Sequence, residues 1–179
     1  MSENKPRNLQ HPVWNVYDQL KTARLNILYY EAKLQFAERL QLIMQITLAA
    51  TVPSSTIAGF DFWDFGLGPY AWKILALFSS LVSFVQPFLG LAKKLKIFEE
   101  LVTGYKTLYY DLQDIRQKIE EENNYTTNHK KLFHAANERR KRLEIKEIGI
   151  GINKRLLRKC QEAVKKELPA KNFFIPHEN

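Results

Sequence analysis

Two stretches without a single charge nonetheless hold polar side chains at helical spacing. In Leu40–Phe60 these are Gln41, Gln45, Thr47 and Thr51; Gln41 and Gln45 lie one helical turn apart on one face. In Ile74–Ala92, Ser79, Ser83, Gln86 and Gly90 follow at intervals of four, three and four. At about 100° per residue these four fall within about 60° of one another, and Ala76 extends the stripe. Such a stripe has two uses. Small polar residues let helices pack closely, and a polar face lines water in an oligomeric pore. The spacing leaves both open. Pro53, beside Ser54, Ser55 and Thr56, is a candidate hinge, as is Pro87, which removes the hydrogen bond to the Ser83 carbonyl.

A second constellation is basic. Arg139, Arg140, Lys141 and Arg142 follow Glu138, with Lys130, Lys131, Lys146, Lys154, Arg155, Arg158 and Lys159 around them. This is either a solvated face drawn to anionic lipid or a site that binds an anionic ligand through charge-assisted bonds. No aromatic residues interleave the cations for base stacking, so nucleic acid is not the expected partner. Enzyme chemistry is not indicated. The chain has no Gly-rich phosphate loop, no HExxH and no paired-cysteine pattern. His11, His129, His134 and His177 are scattered and read as surface residues. Cys160 is the only cysteine, which suits a reducing compartment. No catalytic, cofactor-binding or metal-binding residue is expected.

The elements that would position these groups follow from the charge pattern. Hydrophobic residues make up 45% of the chain, an ordinary figure that hides their concentration in the middle. Each uncharged run is about 20 residues long, and a helix of that length covers about 30 Å, the thickness of a bilayer's hydrocarbon core. The expected fold is therefore an all-α membrane protein: a transmembrane hairpin over 40–92, with spans at about 40–58 and 72–92 and an outer turn at 60–71. In the turn, Phe60, Phe62, Trp63, Phe65, Tyr70 and Trp72 read as an aromatic belt, and Gly66, Gly68 and Pro69 supply the reversal. Net charge is +2 over 1–39, −1 over 40–92 and +7 over 93–179. Lys33 and Arg39 precede the runs and Lys93, Lys94 and Lys96 follow them. By the positive-inside rule both termini are cytoplasmic, at an inner membrane. The N-terminus has no apolar core of a cleavable signal peptide.

Helical arms flank the hairpin. Residues 1–12 read as a tail. Val16, Leu20, Ala23, Ile27, Tyr30, Leu34, Ala37 and Gln41 form a heptad seam in a cytoplasmic helix over 13–39. No Gly or Pro interrupts Val13–Val52, so one helix is expected to run from the arm into the first span. Over 93–168 a cytoplasmic helical region begins with a second seam, Ile97, Leu101, Tyr105, Leu108, Leu112, Ile115 and Ile119. The hairpin would pair it antiparallel with the first, with Gly104 as its weak point. A further helix is expected from Thr127 to Lys146. Ile145, Ile148, Ile152, Leu156 and Ala163 continue an apolar face past a bend at Gly149 and Gly151. Residues 169–179 read as a tail with two exposed Phe.

This layout resembles the SLATT family of two-span membrane effectors from bacterial conflict systems. The resemblance covers about Val13–Ile119. It is carried by Tyr29, Tyr30, Glu31, Ala32, Ala37, Glu38, Arg39 and Leu40 approaching the first apolar run, then by the order of elements. It implies an antiphage effector that oligomerises in the inner membrane and disrupts it once a sensor is triggered, arresting growth. The implied partners are the lipid bilayer, further copies of the chain, and a sensor protein or nucleotide second messenger. The alternative is a non-conducting membrane anchor that holds a cytoplasmic partner through its coiled-coil arms.

Overall fold

The computed structural model describes residues 11–51 and 68–176. Five α-helices carry nearly all of them: α1 (Val13–Thr51), α2 (Gly68–Leu89), α3 (Leu91–Glu122), α4 (Thr127–Lys146) and α5 (Lys154–Glu167), followed by a 3-10 turn at Ala170–Asn172. No strand occurs among the described residues. The chain forms two compact units. One comprises the chain up to Ala32 with the chain from Ile97 onward; the other is Lys33–Lys96.

In the first unit the heptad pattern becomes a core. Val16, Leu20, Ala23, Ile27 and Tyr30 of α1 are buried, as are Leu101, Tyr105, Leu108, Leu112, Ile115 and Ile119 of α3. The two helices run antiparallel. Tyr30 stacks on Tyr105 with ring centroids 6.0 Å apart, and Glu31 pairs with Lys106 at 2.7 Å, while thirteen residues earlier Tyr17 feels the charges of Arg116 and Glu120. Apolar residues at alternating spacings of three and four stay on one side of each helix, so the seams meet along their length. Gly104 has a specific use here. A Cβ on it would lie 2.3 Å from Leu143 Cδ2 of α4, so its missing side chain admits the buried Leu143.

The α4 and α5 helices are held to this pair by named groups. Two histidines that read as surface residues are buried instead. His129 is fully buried and closes the start of α4: the Thr126 N–H donates to His129 Nδ1 at 3.0 Å. His11 accepts from the Val13 N–H at 3.2 Å, at the start of α1. The expected apolar continuation is also corrected. Ile145, Ile148 and Ile152 are exposed, and α5 buries Cys160 and Val164. The C-terminal residues are not a loose tail of exposed Phe either. Phe173 is buried, stacks on Tyr17 at 4.1 Å, and the Tyr17 hydroxyl donates to the Phe174 carbonyl. Short-range periodicity could not reveal that Tyr17 and Trp14 offer this segment an aromatic seat.

The membrane hairpin expected over 40–92 is overturned. Among the described residues no helix is long and apolar enough to cross a membrane. Charge bounds the apolar stretches closely. In α1 Glu38 and Arg39 directly precede the uncharged stretch, of which the described part, Leu40–Thr51, covers about 18 Å of helix. In α2 it is Ile74–Leu89, about 24 Å, after Lys73. Both fall short of the roughly 30 Å required. Gly90 then takes φ +54, ending α2 before α3 begins. Gly90 thus separates the helix of the second apolar run from the arm after it, three residues past the candidate hinge Pro87, which itself lies within α2. The candidate hinge Pro53 and the aromatic turn from Phe60 to Phe65 lie outside the described residues.

Candidate functional site

The second unit leaves many large apolar side chains uncovered. On α2, Ile74, Leu77, Phe78, Leu81 and Phe84 are all exposed, Leu77 at 72%. At about 100° per residue they share an arc of about 120°. The polar stripe occupies the other side of the same helix, and Ser79 within it is buried at 8% exposure. On the α1 residues of this unit, Phe36, Leu42, Ile43 and Ile46 are exposed, whereas Ala37 and Met44 are buried. Ala37, Met44 and Ser79 thus face inward, several large apolar groups face outward, and Ser83, Gln86 and Gly90 of the stripe stay exposed. Helices that pack in a hydrocarbon environment show this preference, because small residues let backbones approach and the surroundings accept the large side chains.

The predicted polar residues divide. Gln41, Gln86 and Gly90 come together, with Met44, Leu91, Ala92 and Lys93, around a cleft of about 590 Å³. Ser83 and Gln45 are exposed, so the six candidates do not form one continuous lining. Gln41 and Gln86 lie far apart in sequence, and only the packing of this unit brings them to one cleft. Their amides can both donate and accept, so the cleft suits a polar group entering an apolar surface.

The basic run at 139–142 is largely neutralised. Arg139 is bonded to Asp111, Arg140 to Glu144 at 2.7 Å, and Lys141 to Glu138 at 2.6 Å. Lys141 beside it holds the Glu138 carboxyl below the usual carboxylate range. Lys146 pairs with Glu100 at 2.8 Å. Only Arg142 of the four predicted residues takes no such partner among the described residues. A guanidinium already bonded to a carboxylate is a weaker anion site, so the predicted patch is mostly structural.

No known family model, curated protein or solved structure matches this chain. The likeness to the SLATT family therefore rests on the sequence features alone. What the site can do must be read from its own groups. Among the described residues no group of three or more His, Cys, Asp or Glu is placed to hold a metal ion.

Sequence reasoning passed over two features. The first is a polar latch under the bend between α4 and α5. The Tyr105 hydroxyl donates to Glu147 Oε1 at 2.5 Å, and the Asn153 N–H donates to the Tyr29 hydroxyl at 2.9 Å. Burial first, and the neighbouring Glu147 second, push the Tyr30 and Tyr105 phenols well above the ordinary tyrosine range. The second feature is how the last helix, α5, is anchored. Asn153 caps it through the Leu156 N–H, and Glu167 near its end bonds Arg24 at 2.9 Å. The contacts Tyr29–Asn153, Arg24–Glu167 and Tyr17–Phe173 run in opposite chain directions, so α5 lies antiparallel to α1. The spacing of Leu156, Leu157, Cys160 and Val164 was the available signal for its buried face.

Proposed function

We propose that this chain is a non-enzymatic membrane effector. Its apolar unit engages lipid and further copies of the chain, and its helical bundle takes the signal from a sensor partner. The observation that carries this reading is the inverted placement in Lys33–Lys96, with Leu77, Phe78, Leu81 and Phe84 outward and Ser79 inward. Contiguous apolar exposure on this scale marks an interaction surface. Its residues are aliphatic and phenylalanine side chains without charges among them, which suits acyl chains. Placement in a bacterial antiphage system, at the inner membrane and under a protein or nucleotide trigger, draws on the SLATT-like layout.

The test is membrane potential in cells that express the chain together with its genomic neighbours, read with a voltage-sensitive dye during phage infection. The expected result is depolarisation that disappears when Leu77→Asp and Phe84→Asp are combined, with the protein still folded and present at the same level. Retention at the membrane with no change in potential under any trigger would replace this reading with the anchor. Full recovery in the soluble fraction would remove both.

A further inference from the structure

On α5 the described residues include a dense group of cations without partners. Lys154, Arg155, Arg158, Lys159, Lys165 and Lys166 are all exposed, and among the described residues none of them takes part in an ion pair or a side-chain hydrogen bond. They lie on one side of α5. At about 100° per residue the six fall within an arc of about 140°, centred opposite Leu156, Leu157, Cys160 and Val164. Cys160 and Val164 are buried, so the bundle holds the apolar side and the cations point away from it. Glu162 is the only acid on the basic side. This contrasts with α4, where neighbouring carboxylates take three of the four predicted cations.

The approach to α5 adds a different chemistry. Ile148 and Ile152 are 80% and 72% exposed, directly before the Asn153 cap, in a bend shaped by Gly149 at φ +86. The bend is not loose: Glu147 and Asn153 at its two ends are bonded to Tyr105 and Tyr29. Two isoleucines are thereby presented on a fixed loop at the end of a basic helix about 21 Å long. Cations beside protruding aliphatic side chains match an anionic lipid surface, with charge for the headgroups and apolar groups for the layer beneath. Nucleic acid would meet the cations but gives the isoleucines nothing to bury against, and α5 has no aromatic residue for stacking.

We propose that the outer face of α5, with Ile148 and Ile152, docks on an anionic lipid surface. The inference rests on the membrane-effector reading only in requiring that the chain meets a bilayer. It adds a second lipid contact, on the bundle, that is electrostatic where the first is apolar.

The experiment is flotation of the full-length chain with vesicles of two compositions. Pure phosphatidylcholine reports the apolar unit. Phosphatidylcholine with about 30% phosphatidylglycerol reports, by its surplus binding, the cations. The expected surplus is about tenfold at about 0.1 M salt, falling away at about 0.5 M as the Debye length contracts. Arg155→Gln, Arg158→Gln and Lys159→Gln together should remove most of the surplus and leave binding to the neutral vesicles unchanged. Because these side chains have no partners, thermal unfolding should not move. The pair Lys165→Gln and Lys166→Gln, at the other end of the helix, should remove a smaller part. Ile148→Ser with Ile152→Ser should weaken binding to anionic vesicles at high salt. No anionic surplus, or a surplus that survives the α5 variants and vanishes on neutralising Lys93, Lys94 and Lys96, overturns the proposal. So does binding to a duplex or single-stranded oligonucleotide that depends on the same three cations while vesicle binding does not. Loss of neutral-vesicle binding with the surplus intact would instead count against the apolar unit.

Discussion

Both units use helices with the same three-and-four spacing, yet they place their large side chains on opposite sides. In the bundle, Leu20, Ile27, Leu108, Leu112 and Ile119 are inside. In Lys33–Lys96, Phe36, Ile43, Ile74, Leu77 and Phe84 are outside, and Ala37, Met44 and Ser79 are inside. An apolar stripe says that a helix has two faces; it does not say which face the chain will cover. The bundle covers its stripes because α3, α4 and α5 all return to α1. In the second unit, with the end of α1, α2 and the first turns of α3, the buried residues are Ala37, Met44 and Ser79, and many of its large apolar residues are left to the surroundings.

The sharpest way to break this comparison is to place one charge in each unit. Leu112→Asp buries a carboxylate without a partner and should cost more than about 3 kcal/mol, abolishing cooperative unfolding of the bundle in circular dichroism. Phe78→Asp, at a 59% exposed site, should shift stability by no more than about 0.5 kcal/mol while weakening lipid binding. Equal destabilisation by both would erase the distinction. Phe173→Ala asks whether the C-terminal residues belong to the bundle. Loss of the buried ring from its seat on Tyr17 should cost about 3 kcal/mol in denaturant unfolding. An unchanged midpoint would return that segment to a tail.

Alkaline pH should act on the bundle through its phenols. Burial lifts Tyr17 to about 12 and raises Tyr30 and Tyr105 further. The folded chain therefore keeps protons that the unfolded chain releases above about pH 10. The stability these groups contribute is complete below about pH 10 and is lost as pH rises through the folded values. Melting temperature should fall along that limb, and Tyr105→Phe should flatten it. A flat wild-type profile between pH 9 and 12 (an interval of about three units) would sink the point. The smallest effect belongs to α4. Arg139→Ala breaks a half-exposed pair with Asp111 and should cost only about 0.2–1 kcal/mol, with no change in vesicle binding. A large loss of lipid affinity in that variant would restore the basic run as a site.

Much of the bundle was legible. The start of α1 at Val13, the two seams and the Thr127–Lys146 helix follow from spacing and from where Gly and Pro are absent. The candidate site was legible only in part. Gln41, Gln86 and Gly90 were picked out by their polarity in uncharged runs and do share a cleft, but Ser83 and Gln45 do not join it. The membrane hairpin failed because, among the described residues, the uncharged stretches are bounded closely by charge and by a break: Glu38 and Arg39 stand just before the one in α1, and Lys73 and Gly90 flank the one in α2. The free cations of α5 were counted in the sequence but not separated from those of α4, since their distinction lies in partners such as Asp111 and Glu144.

The sequence by itself determined the helices, their polar and apolar faces, and the concentration of uncharged residues between Leu40 and Ala92. These depend on groups three and four residues apart, whose geometry a helix fixes locally. Only the tertiary structure decided which faces are covered, which arginines are spent on carboxylates, and that Phe173 finds Tyr17 from across the chain. Those outcomes depend on pairs separated by up to about 157 positions, such as Tyr17 and Phe174, and no local spacing constrains them.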